Sequence, residues 1–261
     1  MMPYTTLKLE HDGGIATLTL NRPEKRNALS SEMMAELGAA LDEAEAGAAR
    51  VLMITGAGKA FCAGMDLAAL REIASQSSDA QIESARAIAA LFRRIYAFPK
   101  PVIAVVNGAA VAGGCGIATL CDITLAAPEA RFGFTEVRVG FMPAFVTVFL
   151  VRQIGEKRAR DLLLTGRIFT AEEARDLGLV NEIVPSEKLL ERAHEIAEGL
   201  LGASPTSLRF SKRLIADLSQ TDLDRDLGLA VNASVGIRQT ADFSEGLSAF
   251  LEKRPPRWSG R

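Results

Sequence analysis

Apolar and polar positions alternate from the start of the chain. Leu7 and Leu9 are flanked by polar residues, Asp12-Gly13-Gly14 supplies a turn, and Ile15, Thr17 and Thr19 alternate with Ala16, Leu18 and Leu20. This period of two around glycines predicts a β-hairpin. After the polar loop Asn21–Asn27 the period changes. Met33, Leu37, Ala40, Leu41 and Ala44 recur at helical spacing behind Ser30 and Ser31, either of which can cap a helix. Val51–Thr55 and Val102–Val106 are short, apolar runs of the kind found in a sheet covered on both faces. Between them Ile82, Ala85, Ile88, Phe92 and Ile95 mark a helix over about Asp79–Phe98, stopped by Pro99-Lys100-Pro101. Thr170 and Glu173 have capping-box spacing, and Gly178 is placed to close that helix. Beyond about residue 185 helices dominate, expected over roughly Glu187–Leu201, Pro205–Leu218, Leu223–Gln239 and Phe243–Lys253. The pattern predicts an α/β fold with a core over 1–185 and a helical region over 186–261.

Composition narrows the function classes. With 261 residues, 48% hydrophobic and 24% charged, the chain can bury a large core. Its net charge of −2 argues against a dedicated nucleic-acid binder, although a local cluster can still hold a small anion. Three cysteines and two histidines are too few for a disulfide scaffold or a Cys/His metal centre. Reduced thiols in a cytoplasmic protein, with no metal, are therefore expected. The first residues lack a basic stretch followed by an apolar run, so no signal peptide is expected. Val102–Cys121 is apolar enough to resemble a membrane span, but Asn107 and four glycines break it into strand, loop and helix.

Three segments can carry chemistry. In Lys59-Ala60-Phe61-Cys62-Ala63-Gly64-Met65-Asp66-Leu67, small residues let a ligand approach the backbone and Asp66 can cap the following turn, although on its own the segment favours a purely structural turn. In Asn107–Gly116, the pair Gly113-Gly114 opens a helix after a buried strand. That leaves N–H groups unpaired at the positive end of the helix dipole, a place for an anion or a developing oxyanion. Close helix-to-strand packing would call for the same glycines. In Arg131–Phe141, Glu136 sits among aromatic and aliphatic residues, where burial would raise its pKa toward that of a neutral-pH proton shuttle. An ion pair with Arg131 or Arg138 is the structural alternative.

In this order and register, these segments resemble the crotonase (enoyl-CoA hydratase/isomerase) superfamily. The likeness runs from NRPEKRNALS through KAFCAGMDL, PVIAVVNGAAVAGGCGIATLCD, ARFGFTEVRVGF and LLLTGRIFTAEEARDLGLVNEIVP to FSEGLSAFLEKRPPRW. It implies a spiral of ββα turns with a C-terminal helical trimerisation region, trimers often pairing into hexamers. It implies an acyl-CoA substrate, no separate cofactor since coenzyme A is part of that substrate, and no nucleic-acid or membrane partner. The oxyanion hole would be the N–H groups of Met65 and Gly113, with Glu136 as proton shuttle. Coenzyme A and the acyl chain would lie along Lys25, Arg26, Ala28 and Leu29, along Ala63, Asp66, Leu67 and Ala68, and near Gly114, Gly116 and Phe141. Lys253 or Arg254 would reach the phosphates from a neighbouring subunit. Met142, Phe145 and Phe149 are further candidates for the acyl pocket, with core packing as the alternative.

One departure bears on the reaction. Hydratases of this family usually carry two glutamates; the second matches Glu136, but the first falls at Gly116. Family Δ3,Δ2-enoyl-CoA isomerases keep only the glutamate that matches Glu136. Against that, TEVRVGFMPAFVTVFLVRQIGEKRAR resembles bacterial enoyl-CoA hydratase and methylglutaconyl-CoA hydratase-like members, and space at Gly116 could hold a water for Glu136. Hydration is the expectation, isomerisation the runner-up, and a non-catalytic acyl-CoA-binding homologue the third reading. A dinucleotide-binding reading of Gly114-Cys115-Gly116 fails at Thr119, and neither a P-loop nor a GxSxG elbow is present.

Overall fold

A computed structural model describes residues 4–260. β1 (Leu7–Asp12) and β2 (Ile15–Leu20) form the hairpin, with Leu7 opposite Leu20 and Asp12 opposite Ile15. Ser30 accepts a hydrogen bond from Met33 N–H and starts α1 (Ser31–Ala46). β3 (Val51–Gly56) and β4 (Ala60–Cys62) follow, then two helices. The first, α2 (Leu67–Ala74), is not anticipated by the sequence pattern; α3 (Ser78–Tyr96) is the helix expected from about Asp79. β5 (Val102–Val106) and β6 (Ala109–Val111) lead into α4 (Gly113–Leu120), β7 (Ile123–Ala126) and β8 (Arg131–Gly133). α5 (Ala144–Ile154), α6 (Glu156–Thr165), β9 (Ile168–Thr170), α7 (Ala171–Asp176) and β10 (Glu182–Ile183) complete the strand-bearing part. Thr170 caps α7 by accepting from Glu173 N–H, but the Glu173 carboxylate pairs with Arg167 instead of closing a capping box.

Two sheets result. The larger has the order β1-β2-β3-β5-β7-β10 and is parallel after the hairpin; the smaller has the order β4-β6-β8-β9. Alternation along the central strands divides the core. Leu52, Ile54, Val102, Ala104 and Val106 enter the main cluster, whereas Val51, Met53, Ile103 and Val105 face the other side. That other side is covered by α8 (Leu189–Leu201) through Leu189, Ala193 and Ala197. The wholly apolar strands are thus explained by burial on both faces.

The helical region differs from the sequence expectation in one respect. The two segments expected either side of Ser219–Asp222 are one helix, α9 (Pro205–Arg238). Ser219, Thr221 and Asp222 are modest helix formers, but Gln220 is a good one and no proline interrupts the segment. α9 packs against α3 and α5. Thr240 then caps α10 (Ala241–Leu251), which lies against the turn that begins at Glu136.

Candidate active site

Three chain turns build the site. β6 ends at Ala112, whose φ of +50° and ψ of −128° lie outside the regions a side chain tolerates well. Such a residue costs about 1–3 kcal/mol and persists only where its surroundings enforce it. Here Ala112 N–H donates to the Gly133 carbonyl at 2.7 Å, and α4 starts at the next residue. Gly113 is the first residue of that helix, so its N–H has no intrahelical acceptor, and none is found elsewhere among the described residues.

The second turn runs past Gly64. Its φ is +86°, and a Cβ there would lie 2.7 Å from Ala112 Cβ and 3.3 Å from Gly113 N, so only glycine fits this approach. The turn is fastened to the first loop: Leu29 N–H donates to Gly64 O and Asp66 N–H donates to Leu29 O. Those bonds use the groups on either side of Met65 and leave the Met65 N–H unspent among the described residues. Two free N–H groups, on Met65 and Gly113, therefore come from turns in van der Waals contact. Asn27 anchors the first loop. It is fully buried at φ +56°, donates to the carbonyls of Ala57 and Ala60, and accepts from Arg22 N–H.

Glu136 opens the third turn, a single 3-10 turn ended by Gly140 at φ +69°. A Cβ on Gly140 would lie 2.4 Å from the Asp242 carbonyl, which is how closely α10 covers this turn. Glu136 forms no ion pair with Arg131 or Arg138, and its Oε2 is sealed from solvent without a hydrogen-bond partner. Burial raises its pKa from 4.5 to about 7. The carboxyl lines a cavity of about 180 Å³ together with Leu29, Ala63, Met65, Gly113 and Phe141. Phe92 from α3, Met142 and Phe145 add apolar wall, and Arg238 and Phe250 line it from the C-terminal helices.

The structure separates the remaining candidates. Gly114 serves packing, since a Cβ there would meet the Cys62 carbonyl at 2.3 Å, and it does not line the cavity. At Gly116 the water-holding space expected from the missing side chain is absent. Val146 Cγ2 and Phe92 Cε1 stand 2.6 and 2.7 Å from where its Cβ would be, so these side chains fill the position. Leu67 lines the cavity, whereas the Asp66 carboxylate is consumed by Arg22 at 3.2 Å and by Ala68 N–H at 3.0 Å. Lys25, Arg26, Ala68 and Lys253 are exposed outside the cavity, as is part of Ala28, and Arg254 is held by Glu245 and Glu252. Phe149 packs in the core against Tyr96, 5.1 Å between ring centres. Cys62, Cys115 and Cys121 are free and buried, and burial pushes the Cys62 thiol up to about 12. No group of metal-ligating side chains is found among the described residues, and none of their helices is long and apolar enough to cross a membrane.

Arg238 is the residue sequence reasoning missed. Leu223, Leu227, Ala230, Val231, Ser234 and Val235 form the buried face of α9. Position 238 continues that helical spacing, so a charged residue stands where the pattern asks for an apolar one. That mismatch was the available signal.

Comparisons with known proteins bear on the family. Residues 10–261 match the family model described as enoyl-CoA hydratase/isomerase. A putative enoyl-CoA hydratase of Thermus thermophilus is 48% identical over 247 residues, which is 94% of this chain and 98% of that protein. The crotonyl-CoA hydratase of Syntrophomonas wolfei is 38% identical, covering 97% of each. A crystal structure of an enoyl-CoA hydratase/isomerase from Xanthobacter autotrophicus superimposes with a TM-score of 0.89 at 32% identity, over 95% of this chain and 94% of that one. On this family match, these relatives and the shared fold, the chain belongs to the enoyl-CoA hydratase/isomerase family of enzymes, which carries the crotonase fold.

Proposed function

We propose that the cavity takes the acyl part of a 2-enoyl-CoA thioester and adds water across its double bond. The Met65 and Gly113 N–H groups would hold the thioester oxygen as it gains enolate charge, where losing one such donor typically costs about 3–4 kcal/mol. The observation that carries this reading is the buried Glu136 carboxyl, its Oε2 without a partner and its pKa raised to about 7, in the same apolar cavity as those two amides. Its neutral form gives a proton to the α-carbon while the water oxygen bonds to the β-carbon. The water's second proton passes to the carboxylate so formed, and the acid is regenerated. Coenzyme A arrives as part of the substrate; its nucleotide end would pass outside the cavity, along Lys25–Leu29 toward Ala68, with Lys253 available to a phosphate. Assembly as a homotrimer, or a hexamer of two trimers, is supported by Phe210, Leu214 and Leu218, which α9 presents to solvent at helical spacing.

Isomerisation of a 3-enoyl-CoA is the second reading. The filled position at Gly116 favours it, because Glu136 is the one carboxylate lining the cavity among the described residues. The two readings differ in the protonation state they start from. Hydration uses the neutral acid, so kcat/KM falls as pH rises through about 7; isomerisation begins with the carboxylate taking a proton and rises over the same interval. Crotonyl-CoA and 3-hexenoyl-CoA are assayed separately in deuterated water across that range. Incorporation of hydroxyl at the β-carbon and one deuterium at the α-carbon supports hydration; movement of the double bond without net addition overturns it.

A further inference from the structure

A second ionisable side chain, Arg238, lines the cavity that holds Glu136, and the proposed reaction does not use it. Arg238 is 4% exposed. Its guanidinium lies 5.5 Å from the centre of the Phe141 ring, and Nη1 makes one long contact, 3.4 Å, with the Gln81 carbonyl. Nε and Nη2 are sealed from solvent without a partner among the described residues. Ser234 Oγ, one helical turn earlier on the same face, and Gln81 Oε1 are likewise buried and unpartnered. Among the described residues no carboxylate is paired with it, and burial is what acts on the guanidinium.

A lone buried cation is among the costlier features of a protein interior, and an apolar residue at position 238 would continue the face of α9 without that cost. The guanidinium fork matches a carboxylate through two parallel hydrogen bonds. With the thioester oxygen at Met65 and Gly113, the rest of the cavity receives the acyl chain. We propose that Arg238 binds a carboxylate at the far end of that chain, so that the preferred substrates are 2-enoyl-CoA thioesters of dicarboxylic acids. This inference rests on the cavity being the acyl site.

The test uses the intact enzyme and matched pairs of thioesters. Glutaconyl-CoA and 2,3-dehydroadipyl-CoA end in a carboxylate; 2-pentenoyl-CoA and 2-hexenoyl-CoA have the same lengths and end in a methyl group. At one of the two lengths the charged member is expected to be favoured about tenfold or more in kcat/KM, mainly through KM. In Arg238→Gln that ratio collapses to near one, and Arg238→Lys retains part of it. Equal use of charged and neutral partners by the wild type overturns the proposal without any variant. So does a ratio preserved in Arg238→Gln together with an altered oligomeric state, which would assign Arg238 to a subunit contact. Affinities for glutaryl-CoA and adipyl-CoA against pentanoyl-CoA and hexanoyl-CoA are measured in parallel. These saturated thioesters can be neither hydrated nor isomerised, so their discrimination survives if the hydration reading fails.

Discussion

Replacing Glu136 by glutamine should make the protein more stable at alkaline pH while removing its activity. In the folded chain burial raises the carboxyl from 4.5 to about 7, so the folded state binds more protons than the unfolded state between those values. By linkage, stability is highest below the unfolded value, declines as pH rises from about 4.5, and stops declining above about 7. At about 1.4 kcal/mol per pH unit, that interval corresponds to a loss of at most about 3 kcal/mol. Glutamine fills the same space and does not ionise, so the variant lacks this decline. The assay is urea unfolding of both proteins at one protein concentration, at about pH 5 and about pH 8, with the difference between the two pH dependences as the readout. Other titrating groups cancel in that comparison. The expected outcome is that the wild type loses about 2–3 kcal/mol more than the variant over this span. Turnover of an enoyl-CoA by the variant should fall to background, with thioester binding kept within a few-fold. Parallel pH dependences would show that Glu136 is not desolvated in the folded protein. Activity near that of the wild type would remove it from the chemistry.

Two further substitutions test the packing account. Gly116→Glu, which on family resemblance would restore a second catalytic carboxyl, is expected to destabilise by about 1–3 kcal/mol or more through overpacking against Val146 and Phe92. It should bring no gain in crotonyl-CoA hydration; a folded variant with faster hydration would refute the filled-pocket account. Asn27→Ala strands the carbonyls of Ala57 and Ala60, at about 1–3 kcal/mol for each buried orphan. A urea midpoint within error of the wild type would show that the loop does not depend on this anchor.

The amino-acid pattern by itself determined the elements whose period is unambiguous. The hairpin, the apolar central strands and α3 are written in spacings of two and 3.6 because each buries one known face or both. The same pattern exposed Glu136 as a carboxyl in an apolar setting and Gly113 as a helix opening. Helix boundaries without a strong breaker were less legible: Ser219–Asp222 reads as an interruption but lies inside α9, since tertiary packing on α3 and α5 outweighs local propensity. The short helix α2 is also set by context, through the Asp66 cap and the burial of Leu70 and Ile73.

Three-dimensional contact alone decided which glycines serve the site and which serve packing. Gly64, Gly113, Gly114 and Gly116 look alike as letters, yet one permits a positive φ, one leaves an N–H free, and two make room for Cys62, Val146 or Phe92. Contact also showed that Asp66 is spent on Arg22, and that α10 closes over the Glu136 turn. Arg238 stands about a hundred residues from Glu136 in the chain, and only folding brings both to one cavity. Periodicity records which side of an element is buried. It carries no record of which distant element does the burying, and that decides whether a buried charge has a partner.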